Sequence, residues 1–490
     1  MKVYLLHPPF LSASGATIEH FFRCTRWQGG VSRGGTYWYP IWLAYATGVL
    51  AQSGHEARLV DAPARRWGIS EVLQDAQDFG PSLVVVDTNF ASLTNDIRLA
   101  HQLKEATGAV AVMVGPPASQ FPDTILNNGV DIVARFEYDL TIREIAQALE
   151  TGVDLATVEG ISFKRDTSII TTPTRDFITS EKLDEAPFVS KVYKEHLVPQ
   201  DYFLNHTLHP MVQIFTGRGC PNLCTFCSWP RTLMGRRHRT RSVGNIVDEF
   251  EYVVREMPEV REIFIEDDTF TINKKRIADV CDEIERRKLR ITWSCNARVD
   301  LDYDTMKKMR DAGCRLLVVG YESGSDQILA AIKKGITTQD SERFTRDAKR
   351  AGLMILADFI FGLPGETRAT AEQTLAFAKK IRPNIVQFAV ATPMPGTEFY
   401  EWVKENGYLL VDNLEDSIDS RGLQQCIIDY PDFSKSDIEY YVDKALKEYY
   451  LNISYVPVLL NNILRKNGLH ELKGTIKSAD VLLKYFFRHS

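Results

Sequence analysis

The chain has 490 residues, a formal net charge of −6, 44 % hydrophobic residues and 25 % charged residues. That length supports two to four domains with cores of their own, the composition is that of a globular protein, and the charge balance gives no reason to expect nucleic-acid binding. No apolar run approaches the length that spans a bilayer. The apolar start is broken by His7-Pro8-Pro9, which predicts a buried strand running into a loop and not a signal peptide. The eight cysteines are therefore expected in a reducing cytoplasm, where clustered thiols bind metal or do redox chemistry more often than they form disulfides.

Residues 1–150 alternate strand and helix signals. KVYLL, HEARLVDAP, SLVVVDTN, AVAVMVGPP and DIVARFE predict strands; YPIWLAYATGVLAQSG, DIRLAHQLKEATG and LTIREIAQALETG predict helices. Nearly wholly apolar strands separated by helices argue for a parallel sheet covered on both faces, the doubly wound, Rossmann-like α/β arrangement. Ligands of such domains bind at the carboxyl ends of the strands. Here those ends are His7-Pro8-Pro9, Thr88-Asn89, Gly115-Pro116-Pro117 and Phe136-Glu137-Tyr138.

Residues 151–205 read as a small hairpin, ISFKRDTSIITTPTRDFI, and an extended linker. A second alternating series fills 206–405, with strands at MVQIFTG, EIFIEDD, ITWSCNA, LLVVGYES, ILADFIFG and IVQFAVA. Six βα units fit a partial (β/α)6 barrel of the TIM type, whose function sits at the strands' carboxyl ends. Those ends are polar or glycine-rich: Glu266-Asp267-Asp268, Asn296-Ala297-Arg298, Glu322-Ser323-Gly324, Gly362 to Glu366, and Pro393 to Thr397. Residues 406–490 are aromatic and predicted mostly helical, with DIEYYVDKALKEYYLNISYVPVLLNNIL and SADVLLKYFFRHS as the main segments.

The first barrel strand runs into TGRGCPNLCTFCSWP, which puts Cys220, Cys224 and Cys227 on one loop. Two glycines permit a tight turn and Pro221 stiffens it. Gaps of three and two residues allow three thiolates to reach three corners of an iron–sulfur cube. Iron–sulfur clusters are ordinarily held by four cysteines, so three leave one iron open to a further ligand. Structural zinc is closed by four ligands; zinc, with His238 as the fourth ligand, and a plain redox role remain as alternatives.

This loop, with Phe226 before the third cysteine, resembles the cluster motif of radical S-adenosylmethionine (SAM) enzymes. FIEDDTF, GYESG and FIFGLPGET resemble that family's second, fourth and fifth strand segments, and the upstream domain resembles a cobalamin-binding domain. Within the class, TGRGCPNLCTFCSWP, RRHRTRS, DDTFT, TWSCNA, LLVVGYESG and IKKG resemble a hopanoid-associated, ring-contracting branch that forms cyclitol ethers. The resemblance implies that Cys220, Cys224 and Cys227 hold a [4Fe–4S] cluster whose open iron is chelated by SAM. One electron then cleaves SAM to a 5′-deoxyadenosyl radical that takes hydrogen from an unactivated carbon. The expected reaction is rearrangement of a hopanoid-borne sugar, with cobalamin-dependent C-methylation or cyclisation as the alternative and a sensor with a structural cluster as a third reading.

Further roles follow from the same resemblance. Phe226 borders the cluster. Glu266, Asp267 and Asp268 accept from the SAM ammonium group, against a plain capped loop. Glu322 and Ser323 meet the ribose; Arg298 pairs the SAM carboxylate, against an ordinary salt bridge. Gly362 and Gly365 admit the adenosine, or simply form a turn. Pro8, Thr88, Gly115 and Glu137 border the cobalamin. The domain has no Asp-x-His-x-x-Gly, and His7 does not fit that motif, so it reads as a hydrogen-bonded loop histidine. Pro116 and Phe136 stand where glycines would suit a corrin and are expected to crowd it. Cys281, Cys295 and Cys314 read as inert buried thiols, with Cys295 the one placed to face a cavity; Cys24 and Cys426 carry no signal. The basic run RRHRTRS reads as a solvated face, with an anion contact as the minority alternative. Expected partners are a small-molecule or lipid-linked substrate and an electron donor such as flavodoxin or ferredoxin. The C-terminal segments are expected over the barrel mouth, with peripheral contact at the inner membrane face as the alternative.

Overall fold

The computed structural model describes residues 1–11, 17–18, 21–22, 30–31, 36–419, 422–465 and 468. The predicted segments Cys24 and SADVLLKYFFRHS lie outside them.

The first sheet is built from β1 (Lys2–His7), β4 (Glu56–Asp61), β5 (Leu83–Asp87), β6 (Val110–Val114) and β7 (Ile132–Ala134), followed by the hairpin β8 (Ile161–Arg165) and β9 (Ser168–Thr171). A two-residue pairing, β2 (Phe21–Phe22) with β3 (Gly30–Val31), stands apart from it. The order is β4-β1-β5-β6-β7-β8-β9, parallel from β4 to β7. The hairpin, expected between the domains, continues this sheet antiparallel to β7.

The apolar strands are apolar because both faces are covered. Val3 and Leu5 of β1 pack into one core with the helix Ile41–Gln52, while Tyr4 and Leu6 pack into another with the helix Leu93–Thr107. Alternate residues point to opposite faces, so a strand buried on both sides has no polar positions left.

The second sheet runs β10 (Met211–Ile214), β13 (Glu262–Ile265), β14 (Trp293–Ala297), β15 (Cys314–Glu322), β16 (Met354–Phe361) and β17 (Ile385–Val390) in sequence order, all parallel. This is the expected six-stranded partial barrel. A short antiparallel pair, β11 (Gly217–Arg218) with β12 (Arg239–Thr240), brackets the cysteine loop. The two domains share a core: Tyr45 of the first stacks on Phe215 of the second, Trp42 packs against the same ring at a tilt, and Tyr39 donates its hydroxyl to the carbonyl of Met211 at 2.9 Å.

The C-terminal region carries the expected helices, Lys435–Tyr450 and Val456–Leu464 among its described residues. Residues 406–419 and 422–434, which lead into them, are mostly irregular, with isolated pairings Leu409–Ile428 and Ile418–Gln424. The helix Lys435–Tyr450 then covers the edge strand: the Tyr450 hydroxyl accepts from the Val386 amide at 2.9 Å and donates to the Val386 carbonyl at 2.7 Å. Occupying the backbone groups of an edge strand blocks its pairing with other chains. Among the described residues, no helix is long and apolar enough to cross a membrane.

Candidate active site

The cysteine loop leaves β10 through Thr216, Gly217, Arg218 and Gly219. Gly219 has φ +87°, and a Cβ there would lie 2.2 Å from the Arg237 carbonyl oxygen, so only glycine lets the loop fold under β12. Asp267, at the end of β13, fixes the turn. Its carboxylate accepts from the Thr216 amide at 2.6 Å, the Thr216 hydroxyl at 2.5 Å and the Gly217 amide at 3.0 Å. Asp268 accepts from the Gly219 amide at 3.1 Å. These two carboxylates, expected at the SAM ammonium group, hold the loop that carries the thiols. Glu266, by contrast, faces an inter-domain pocket and accepts from Gln213 at 2.9 Å.

Cys224 is buried, while Cys220 and Cys227 are partly exposed. The Cys220 sulfur accepts from Asn222 at 3.1 Å, and the Thr225 amide donates to the Ile332 carbonyl at 3.0 Å, pinning the loop centre to the segment after β15. Phe226 packs against the core. Among the described residues no three Cys, His, Asp or Glu side chains converge on a single metal ion. A cubane spreads its three thiolates over three irons, so the donor set on this loop fits a cluster without such convergence. His238, considered as a fourth ligand, sits against Gly217 near Asp267.

A buried ion pair faces Cys224. Lys334 Nζ lies 2.6 Å from Glu322 Oε1. Burial works against the lysine charge, but the Glu322 carboxylate and a Cys224 thiolate outweigh it and hold the ammonium above the ordinary lysine range. Glu322 has φ +64°, uncommon for a residue with a Cβ, and its Oε2 is buried without a hydrogen bond. Gly320 opens this corner: a Cβ there would lie 2.1 Å from Glu322 Oε1 and 2.9 Å from Lys334 Nζ. Ser323 bonds Thr374 at 3.1 Å, and Arg298 donates to the Lys334 carbonyl at 3.0 Å, which brings it beside the pair. Lys334 is a site residue that sequence reasoning missed; IKKG marked the segment, but nothing in the sequence shows that the second lysine turns inward.

Gly362 has φ +94°, and a Cβ there would come within 3.1 Å of Ile428 and Ile438, so its glycine also answers to packing against the C-terminal region. Gly365 is likewise left-handed at φ +81°. Cys295, placed as the thiol to face a cavity, is fully buried and its thiol is pushed well up by burial; Cys281, pushed up to about 12 by burial, is equally inert.

The basic run is a solvated face only in part: Arg237 is exposed, but the next two arginines turn inward. Arg239 and Arg241 are 3 % and 6 % exposed. Arg239 pairs with Glu137 at 2.8 Å and Arg241 with Glu249 at 2.5 Å. Arg218 joins them, 2.8 Å from Asp139, with its plane 4.7 Å over Trp42. Burial opposes its charge, but Asp139 and Glu137 reverse the balance and hold the guanidinium firmly charged. Arg218 and Arg239 join the domains, because each meets a carboxylate at β7's exit or the start of the helix that follows, whereas Arg241 pairs within the barrel, with Glu249 of the helix Val243–Glu256. Glu137, expected at a cobalamin edge, belongs to this clamp.

Between the domains lies a pocket of about 390 Å³, part of it open to solvent. His7, Trp38, Trp42, Asp87 and Tyr138 line it from the first domain, and Gln213, Trp229 and Glu266 from the barrel. The Trp42 Nε1 and the Tyr138 hydroxyl are buried there without a hydrogen bond. Buried polar atoms left unpaired cost free energy unless a bound group satisfies them, so this mouth fits a ligand held between the domains. Pro8 and Thr88 are buried beside it; Thr88 donates to Asp96 at 2.9 Å. Gly115 has φ +108°, and a Cβ there would lie 2.3 Å from the Thr88 carbonyl oxygen. Neither Pro116 nor Phe136 lines the pocket; Phe136 turns edge-on to Phe177, centroids 6.0 Å apart.

Fold and site together define an enzyme with a thiolate loop at the mouth of a parallel barrel and a second domain facing that mouth. Residues 214–378 match the radical SAM superfamily and residues 28–146 the B12 binding domain. An uncharacterized methyltransferase of Pyrococcus horikoshii is 31 % identical over 96 % of both chains. The anaerobic magnesium-protoporphyrin IX monomethyl ester cyclase of Rubrivivax gelatinosus is 25 % identical over 82 % of this chain and 70 % of its own. Among solved structures, the radical SAM methyltransferase TsrM from Kitasatospora setae superposes with a TM-score of 0.69 over 92 % of this chain and 89 % of that one, at 17 % identity. The cobalamin-dependent enzyme OxsB gives 0.69 over 98 % and 75 %, at 15 %. The chain belongs to the radical SAM superfamily, among the members that carry a B12 binding domain ahead of the barrel. Its cofactors are a [4Fe–4S] cluster, SAM and cobalamin.

Proposed function

We propose that this protein is a cobalamin-dependent radical SAM methyltransferase acting on an unactivated carbon of a small molecule. The observation that carries the reading is the shared pocket: His7, Asp87 and Tyr138 of the B12 domain and Gln213, Trp229 and Glu266 of the barrel wall one chamber. A substrate there lies between both cofactor-bearing domains. When bound, cluster and SAM supply a carbon-centred radical and cobalamin supplies a methyl group.

The residues of this chain do the rest. Cys220, Cys224 and Cys227 hold the cluster on a loop fixed by Asp267 and Asp268. Lys334 and Arg298 form the cationic corner for the SAM carboxylate, and Glu322 and Ser323 take the ribose hydroxyls. Glu266, at the pocket wall, is the carboxylate available to the SAM ammonium group. The aromatic lining of Trp38, Trp42, Tyr138 and Trp229 excludes water from the chamber. A flavodoxin or ferredoxin supplies the electron.

The similarity to a methyltransferase along nearly the whole chain supports methyl transfer over ring contraction of a hopanoid-borne sugar. The test uses anaerobic, cluster-reconstituted protein with hydroxocobalamin, reductant and methyl-labelled SAM. Formation of both S-adenosylhomocysteine and 5′-deoxyadenosine supports the methyltransferase; 5′-deoxyadenosine alone returns the reading to a rearrangement or cyclisation.

A further inference from the structure

We propose that the outer face of the cysteine loop is the docking surface for an acidic one-electron carrier protein, with Leu223 at its centre and Arg231, Arg236 and Lys333 beside it. The inference rests on the loop holding the cluster. Three observations carry it.

The first is what the loop leaves in water. Its entry is sealed against the first domain, where Arg218 meets Asp139, and its middle is sealed against the barrel, where the Thr225 backbone bonds Ile332 and Phe399. Cys224 is buried between these contacts. Pro221 and Leu223 are exposed, Leu223 by 54 %, and Cys220 and Cys227 are partly exposed with them. The stretch that solvent reaches therefore includes two of the three thiols.

The second is charge. The Phe399 amide donates to the Thr225 carbonyl at 3.1 Å, which sets the start of the helix Glu398–Glu405 against the loop. There Arg231 lies 2.7 Å from one Glu398 carboxylate oxygen and Lys333 2.6 Å from the other. Arg236 donates to the Asn222 carbonyl, which brings a third cation to the residue next to Leu223. Lys333 above all, with Arg231 and Arg236, holds the Glu398 carboxyl below the usual carboxylate range. Three cations thus share one carboxylate, on a chain whose net charge is −6.

The third is the match to a partner. A single exposed leucine is ordinary on a protein surface. An apolar residue beside a cluster rich in arginine has the make-up of a protein contact. Each SAM cleavage consumes one electron, which the cluster must receive from a carrier. The reduced carrier gives up that electron and the cluster takes it, and no bond forms or breaks in the transfer. Flavodoxin-type carriers are acidic, so the surplus of positive charge steers and orients them while the leucine packs into the contact.

The test compares two reductants on the full, cluster-reconstituted chain: dithionite, which needs no docking, and reduced flavodoxin. Formation of 5′-deoxyadenosine is measured for the wild type, Leu223→Asp and Lys333→Glu. With flavodoxin, both variants are expected to raise KM for the carrier by about tenfold or more, and the wild-type rate is expected to fall as salt is added. With dithionite, both are expected to match the wild type. Equal loss with both reductants would make these residues supports of the loop, and an unchanged KM for flavodoxin would mean that the carrier docks elsewhere; either overturns the proposal. So does a wild type that dithionite drives and neither flavodoxin nor ferredoxin drives. A wild-type dimer in light scattering that Leu223→Asp splits, with KM for flavodoxin unchanged, assigns the face to a second copy of the chain instead. A wild type that forms no 5′-deoxyadenosine even with dithionite overturns the cluster assignment, and this proposal with it.

Discussion

Arg218 and Asp139 lie 2.8 Å apart across the domain boundary, each 1 % exposed on its side chain. The arginine sits two residues before the first cysteine of the loop, and the aspartate opens the helix Asp139–Thr151 of the other domain. Removing one partner of such a pair leaves the other charge buried and uncompensated. Arg218→Ala is expected to cost about 3 kcal/mol or more in stability, read as a lowered midpoint in chemical denaturation, and to lower iron content after reconstitution. A mutant as stable as the wild type would show that the clamp carries no weight.

The three loop cysteines differ from the rest by position, and mutation will separate them. Cys224→Ala is expected to lose the absorption of the cluster and all 5′-deoxyadenosine formation. Cys281→Ala, which removes a buried sulfur remote from the loop, is expected to keep both and lose only packing energy, on the order of 1 kcal/mol. Equal effects of the two substitutions would be inconsistent with the assignment of the loop.

Lys334→Met removes the ammonium from the Glu322 corner and keeps much of the apolar stem. Iron content is expected to stay near the wild-type level while KM for SAM rises by about tenfold or more, the scale of one charge-assisted hydrogen bond. Loss of iron with unchanged KM would instead make Lys334 a support of the loop.

Glu366 gives the stability a pH dependence. Burial lifts its carboxyl from the ordinary 4.5 to about 8, against the lowering effect of hydrogen bonds from the Gly362 and Leu363 amides. Between those values the folded chain keeps a proton that the unfolded chain releases. This contribution to stability is therefore whole below about 4.5, declines as pH rises, and has levelled off above about 8. Melting temperatures measured across that window are expected to fall in the wild type and to flatten in Glu366→Gln. A parallel decline in both proteins would locate the titration elsewhere.

Much of the architecture is legible in the sequence because periodicity reports burial directly. VVV in β5 and FIF in β16 can be apolar at every position only where both faces are covered, so two parallel sheets follow from the pattern. The spacing of Cys220, Cys224 and Cys227 is local and equally readable. Charge is different, since a buried arginine and a solvated one look the same in sequence. RRHRTRS reads as surface because the carboxylate that buries Arg239 lies about a hundred residues away, at Glu137, and nothing in the sequence shows that Glu249 of the next helix turns inward to meet Arg241. Lys334 is hidden likewise: what it faces is decided by strands and loops that meet only on folding.

The arginine clamp also bears on transplanting domains between relatives. A foreign B12 domain joined to this barrel would have to supply counterparts of Glu137 and Asp139 at the same two positions, because Arg218 and Arg239 would otherwise be sealed inside with nothing to neutralise them. The unit that recombines is therefore the barrel together with the domain that faces it, and a chimaera cut at the linker inherits half of a lock.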